Sequence, residues 1–215
     1  LLHQAAGAQT GHRVGRVGWL GWNGAALGQA PSAPLDGLRV GLPVASSSSR
    51  VAADGGLVAV LWDPNALLSW QAAKAAARQR GWKLLSFEVH DAAEMEVAIK
   101  AAAVARAGAL LLVGGLAYRH AKRIAELAFM NRLPANTGNA AQVGDAGLLS
   151  YGADLNVIWQ RAAVFVDKIL RGANPADLSV EQPTKFNLII NLQTAKALGL
   201  TVPQSLLLRA DEVIQ

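Results

Sequence analysis

Gly55-Gly56-Leu57-Val58-Ala59-Val60-Leu61-Trp62-Asp63-Pro64-Asn65 is the stretch that decides the fold of this chain. A continuous apolar run, bounded by a glycine pair and a turn-forming Asp-Pro-Asn, is the pattern of a strand covered on both faces in a parallel sheet. Ala66 to Arg80 then takes up a helical period, and Gly81 stands where a left-handed C-terminal cap is wanted. Lys83 to Val89 reads as a second strand, with Leu84, Phe87 and Val89 as its buried residues. Ala92 to Arg106 reads as a helix, Ala109 to Val113 as a third strand ending at Gly114-Gly115, and His120 to Asn131 as a further helix. Pro134 opens a loop, and Gly147 to Tyr151 is a short fourth strand. Strands alternating with helices in this way imply a parallel sheet with right-handed crossovers, a Rossmann-like three-layer α/β domain.

The flanks add smaller pieces. Arg13 to Leu20 reads as a strand followed by a Gly21-Trp22-Asn23-Gly24 turn, and Pro34 to Leu42 begins a helix. Pro43-Val44-Ala45-Ser46-Ser47-Ser48-Ser49 has no apolar period and reads as a linker. Beyond the fourth strand, Val157, Ile158, Ala162, Val164, Phe165, Ile169 and Leu170 form a helical stripe within 155–170, stopped at Gly172. Phe186 to Ile190 is a β-forming run, Thr194 to Leu198 a short helix closed by Gly199, and Leu206 to Leu208 a strap across the body.

Composition narrows the functional classes. The chain has 215 residues, 52% of them apolar, enough for one large or two small packed domains. Net charge is +5, but Lys and Arg are scattered among acidic residues with no basic block or stacking aromatics, which argues against nucleic-acid binding. The absence of cysteine removes disulfides, thiolate catalysis and thiolate-held metal. Apolar runs such as Ala107 to Leu116 fall short of the roughly 18 to 20 residues that a membrane span needs. Ala6-Gly7-Ala8 has the small-x-small form that signal peptidase accepts, with leucines before it.

The last third is long and idiosyncratic: Gly147-Leu148-Leu149-Ser150-Tyr151-Gly152, an amphipathic helix, Glu181-Gln182-Pro183-Thr184-Lys185-Phe186-Asn187-Leu188-Ile189-Ile190-Asn191, Thr194-Ala195-Lys196-Ala197-Leu198-Gly199-Leu200, then Ala210-Asp211-Glu212-Val213-Ile214. From about Leu57 to Gln215 the chain resembles bacterial ABC-transporter substrate-binding proteins, two-lobed receptors of the periplasmic-binding-protein type I kind. Arg16 to Gly21 and Leu35 to Leu42 resemble the family's first strand and helix, after which most of the first lobe is absent. The resemblance implies one complete lobe, 57–151 with 183–215, and a truncated first lobe, 1–45 with 152–182, joined by a linker at 46–56. It further implies export to the periplasm, a small-molecule ligand, an inner-membrane ABC permease as partner, and no cofactor. The segment Asn136 to Asp145 departs most from the family, being small and polar throughout, and Ala146 stands where the family has the first of two glycines.

In an open parallel sheet ligands bind beyond the carboxyl ends of the strands. That geometry selects Trp22 and Asn23, Asp63 and Asn65, Tyr118, Asn136 and Thr137, and Tyr151. For an α-amino acid, Asp63 would accept from the ammonium, Asn65, Asn136 and Thr137 would donate to the carboxylate, and Trp22, Tyr118 and Tyr151 would form the wall. Each has a structural alternative. Asp63-Pro64-Asn65 is also ordinary turn chemistry, Tyr151 a packing residue with a wet hydroxyl, and Trp22 a cover for an exposed edge. His3, His12, His90 and His120 lack metal-ligand spacing, and no Gly-x-Ser-x-Gly elbow or phosphate-binding glycine loop occurs. Glu94 and Glu96 read as a solvated face. The expected function is a non-catalytic solute-binding component of an ABC uptake system or a truncated derivative. The rival is a cytoplasmic Rossmann-like enzyme using a nucleotide or sugar phosphate.

Overall fold

The computed structural model describes residues 56–79, 81–136, 143, 146–181, 183 and 185–215, and only the backbone of 117 and 118. The expected strand at Arg13 to Leu20, the helix at Pro34 to Leu42 and the serine linker lie outside the described residues.

Strand β1, Leu57–Trp62, has the burial its sequence demands, with Val58 to Leu61 fully enclosed. It leads through a 3-10 turn at Pro64–Ala66 into helix α1, Leu67–Gln79. Gly81 (φ +70°) turns the chain into β2, Lys83–Glu88, using a left-handed conformation that costs glycine nothing. Helix α2, Ala92–Val104, opens on Asp91, whose side chain accepts from the Glu94 amide at 2.8 Å. The Glu94 carboxylate reaches back to the His90 amide at 2.7 Å, a reciprocal cap. Then follow β3, Ala109–Val113, a one-turn helix α3, Gly115–Arg119, and α4, Ala121–Met130. The chain continues through β4, Ala135–Asn136, β5, Leu149–Ala153, and the long α5, Leu155–Leu170. Finally come β6, Phe186–Asn191, α6, Leu192–Ala197, α7, Gln204–Leu207, and β7, Glu212–Ile214.

The strands form a seven-stranded sheet in the order β2-β1-β3-β4-β5-β6-β7. β2, β1, β3, β4 and β5 run parallel, as expected; β6 is antiparallel to β5, and β7 pairs in parallel with β6. Side chains alternate between the faces. Ala59, Leu61 and Leu110 meet Met95, Ile99, Ile124 and Ala128 of α2 and α4. Val58, Val60, Leu111 and Val113 meet Trp70 and Ala73 of α1 on the other face. Around β5 and β6, Leu149, Leu188 and Ile190 pack against Ala195 of α6 and Leu206 of α7. The architecture is an α/β fold with helices on both faces of a mostly parallel sheet.

Several local expectations are corrected. Pro134 does not simply open a loop, because Ala135 and Asn136 pair with Leu110 and Leu111 of β3. The strand expected at Gly147 to Tyr151 begins two residues later and runs to Ala153. Leu84 and Phe87 are only half-buried, since β2 is the sheet's edge strand, whereas Val89 is enclosed. The Leu206 to Leu208 strap is a short helix that buries Leu206 and exposes Leu208.

One helix tests the packing. Ile99 of α2 is fully enclosed and Val97 is 69% exposed. Ile99→Ala is expected to cost about 2 to 5 kcal/mol by cavity formation. Val97→Ala is expected to stay within about 0.5 kcal/mol of the parent. Urea midpoints at unchanged slope measure both.

Candidate functional site

The strand order reverses at β1. The chain leaves it outward to β2, then returns to place β3 on its other side. Such a switch point opens a crevice at the carboxyl ends of the two strands. Here the Asp63 turn after β1 meets the Gly114 loop after β3 at that point.

Asp63 is buried, at 3% exposure. Its Oδ1 accepts from the Asn65 amide at 3.0 Å and its Oδ2 from the Leu116 amide at 2.9 Å. One carboxylate therefore caps its own turn and ties that turn to the loop after β3. Gly114 permits this at φ +107°, for a Cβ there would stand 2.2 Å from Asp63 Oδ2 and 2.8 Å from the Ala66 Cβ. No other residue fits without displacing the carboxylate.

The register extends the site along the same edge. Val60, Leu111, Asn136 and Leu149 lie in one row across β1, β3, β4 and β5. Register partners share a face, so Asn136 lies on the face of Leu111 and Leu149, and it is buried at 9% exposure. Tyr151 is two residues nearer the rim on that face. Its ring stacks on Phe186 at 5.8 Å and 16°, a favourable parallel aromatic contact. Asn65 is exposed on the turn.

Asp63 and Asn65 thus follow the carboxyl end of β1, Asn136 closes the two-residue β4 level with Val60 and Leu111, and Tyr151 stands in the middle of β5. Tyr118 belongs to α3, which starts after Gly114, but its side chain lies outside what is described. Trp22, Asn23 and Thr137 lie outside the described residues. Sequence reasoning missed the Gly114 approach and the Leu116 amide, which no local pattern announces. It also missed Phe186, although an aromatic opening a β-forming run was a usable signal.

The remaining polar side chains have structural work. His90 is exposed beside Glu94 at 3.0 Å and Glu88 at 3.5 Å. The side-chain hydrogen bond to Glu94 raises the His90 pKa, while the His90 amide, followed by its ring, lowers that of Glu94. Glu96 pairs with Lys100 and Arg123 across a solvated surface. Among the described residues no group of three or more His, Cys, Asp or Glu could hold a metal ion.

The strand-to-helix crossover beside the site is pinned. The Asp154 amide donates to the Lys185 carbonyl at 3.0 Å, and Lys185 Nζ donates to Asp154 Oδ2 at 2.9 Å. Asp154 also caps α5 by accepting from the Asn156 and Val157 amides. The Lys185 ammonium, helped by Asn187 and the Val157 amide, holds the Asp154 carboxyl down to about 2. Arg161 grips Glu181 on the returning segment with two hydrogen bonds, which lowers the Glu181 pKa.

The sequence profile described as ABC transporter substrate binding protein matches residues 63–214. The chain belongs to the ABC transporter substrate-binding protein family. No curated protein matches it. A conserved domain protein from Vibrio cholerae O1 biovar El Tor is 25% identical, with a TM-score of 0.69 over 73% of this chain and 54% of that one. An ABC domain from Streptococcus pneumoniae, solved in complex with L-Trp, is 20% identical, with a TM-score of 0.69 over 80% and 60%. The ligand-free, open structure of a Clostridium difficile substrate-binding protein with adhesive properties is 18% identical, with a TM-score of 0.57 over 85% and 59%. This chain therefore spans between 54% and 60% of the length of these structures. No helix among the described residues is long and apolar enough to cross a membrane.

Two predictions follow from the geometry. Gly114→Ala is expected to cost about 2 to 4 kcal/mol through overpacking and a strained backbone. Combined with Asp63→Ala, which removes the closest atom, it should show about 1 kcal/mol of favourable coupling in a double-mutant cycle read by urea unfolding.

Asp154→Asn retains a capping oxygen but loses the ion pair with Lys185. A carboxyl whose folded pKa is depressed from 3.8 to about 2 stabilises above its unfolded pKa and loses that contribution as pH falls through the folded one. The parent should therefore out-stabilise Asp154→Asn near neutral pH, with the gap closing between about pH 4 and pH 2 in matched urea titrations.

Proposed function

We propose that this chain is a non-catalytic solute-binding component of an ABC uptake system, taking an amino acid with an aromatic or apolar side chain at the carboxyl edge of β1, β3, β4 and β5. The observation that supports the reading is the Asp63–Gly114 contact at the switch point, with the Asn136 amide and the Tyr151–Phe186 stack on the neighbouring strands β4, β5 and β6. Small-molecule sites combine an apolar or aromatic wall with a few placed polar groups, and these residues supply both. Tyr151 offers the wall, Asn65 and Asn136 the amides, with Thr137, Tyr118, Trp22 and Asn23 as further candidates. Asp63 contributes its charge to the floor while its oxygens hold the turn. The structurally similar streptococcal domain, solved with L-Trp, supports the ligand class.

On this reading residues 57–151 and 183–215 form one lobe, and 1–45 with 152–182 what the chain carries of the other, joined by 46–56. The protein acts outside the inner membrane, in the periplasm, and delivers its ligand by hinge closure to an ABC permease. The Asp154–Lys185 crossover is the hinge strand pair. A nucleotide or sugar-phosphate enzyme is disfavoured by Asp63 itself. The Asn65 and Leu116 amides, which a phosphate would need, are taken by a carboxylate that would repel it.

Thermal shift of the full chain against amino acids and nucleotides tests this. An aromatic L-amino acid at a hundredfold its Kd should add about 2.7 kcal/mol of stability. Tyr151→Ala should weaken that response by about tenfold in Kd, or roughly 1.4 kcal/mol. Stabilisation by nucleotides alone, or no response to any amino acid, overturns the reading.

A further inference from the structure

Helices α1, α2 and α4 all end in the same hydrogen-bonded turn. The Trp82 amide donates to the Ala77 carbonyl at 2.9 Å, Ala107 to Ala102 at 3.0 Å, and Leu133 to Ala128 at 2.8 Å. After α1 the left-handed position of that turn is filled by Gly81, but after α2 and α4 it is filled by Arg106 (φ 58°) and Arg132 (φ 54°). Among the described residues these two arginines are the non-glycine positions of positive φ. Glycine is favoured there because a Cβ crowds the backbone. Arginine held at both places points to a use for its side chain.

Both arginines stand at the amino edge of the sheet, opposite the Asp63 turn. The Lys83 amide donates to the Gly56 carbonyl at 3.1 Å, Gly108 to Leu57 at 2.8 Å, and Leu110 to Pro134 at 2.8 Å. The entries to β2, β1, β3 and β4 therefore lie level, across roughly 15 Å at the usual strand spacing. In the last turns of α1, α2 and α4 and the described loops that follow them, the charged residues are Arg78, Lys83, Arg106 and Arg132, all basic and all exposed. Further up α2 and α4 the charges cancel, Glu96 with Lys100 and Arg123, and Arg123 with Glu126. Two residues before each arginine an apolar side chain stands in the open, Val104 at 84% exposure and Met130 at 63%.

We infer that this amino edge is a docking surface for an anionic lipid membrane. Guanidinium groups pair with phosphate oxygens through two parallel hydrogen bonds, and basic residues at a bilayer surface are drawn to anionic headgroups. The exposed Val104 and Met130 favour lipid over an acidic protein, since an apolar side chain beside a cation can enter the boundary between headgroups and acyl chains. The inference takes from the proposed function a location beside the inner membrane, and nothing about the solute.

Vesicle sedimentation of the full chain at low salt, without solute, tests this. The protein should pellet with vesicles containing phosphatidylglycerol, stay in solution with phosphatidylcholine alone, and be released by salt. Arg106→Gly and Arg132→Gly suit the left-handed backbone, so each should keep or raise the urea midpoint yet weaken vesicle binding about fivefold, and the pair about twentyfold. Arg106→Lys with Arg132→Lys keeps the charge and should retain most of the binding. Arg209→Gln, which removes one charge from an exposed loop elsewhere, should change binding by less than about twofold. No binding to anionic vesicles, equal binding to neutral ones, or equal losses from the glycine, lysine or Arg209 variants would overturn the inference. Tighter binding to soluble polyglutamate than to vesicles of equal charge would assign the edge to an acidic protein and overturn it too. Because no solute is added, each of these failures leaves the thermal-shift test of solute binding standing.

Discussion

The arrangement at the site depends on one buried carboxylate. Asp63 reaches across the switch point to an amide 53 residues further along the chain, and so fixes the loop after β1 against the loop after β3. Without that bond the Leu116 amide would need another partner, for a buried unsatisfied N–H costs on the order of 1 to 3 kcal/mol. The bond in turn requires a bare backbone at 114, and glycine is the only residue that supplies it. A charge, two amides and one glycine thereby shape the floor on which the rest of the edge is assembled.

The remainder of the edge is placed by register. Asn136 and Tyr151 share one face because β4 pairs with β3 at Leu110 and Leu111 and with β5 at Leu149. A slip of one residue would turn Leu149 out of its cluster with Leu188 and Ile190 and carry Tyr151 to the other face. Packing on β5 and β6 therefore holds the aromatic at the rim, and the Phe186 stack completes it. The antiparallel return of β6 follows from the excursion through α5. The chain leaves and re-enters the sheet at the same edge, so its next strand runs back down.

How far the sequence disclosed this depends on run length. β1 and β3 are continuous apolar runs whose identity periodicity alone could read, as were α1, α2 and α5. β4 has two residues and α3 five, too few for any period to register. The direction of β6 was illegible because a β-forming run looks the same in either sense; only its partner decides. The rule that ligands bind beyond the carboxyl ends of parallel strands selected Asp63, Asn65, Asn136 and Tyr151 along with Trp22, Asn23, Tyr118 and Thr137, from strand ends alone. What it could not supply was the use of Asp63, because Leu116 is remote in sequence and its backbone amide leaves no trace in residue type.

The switch-point carboxylate also bears on what the site selects. Related folds that bind phosphates leave loop amides open to the ligand, so that the anion meets hydrogen-bond donors and no competing charge. Here the protein has supplied its own anion to those donors. The Asn65 and Leu116 amides are therefore satisfied before any ligand arrives. On the reading proposed above, selectivity would fall to the rim, where Tyr151 stacks on Phe186. An amino acid with an apolar side chain would suit that rim. A sugar phosphate would find the Asn65 and Leu116 amides taken, and its hydroxyls would displace water from the aromatic rim without replacing those hydrogen bonds.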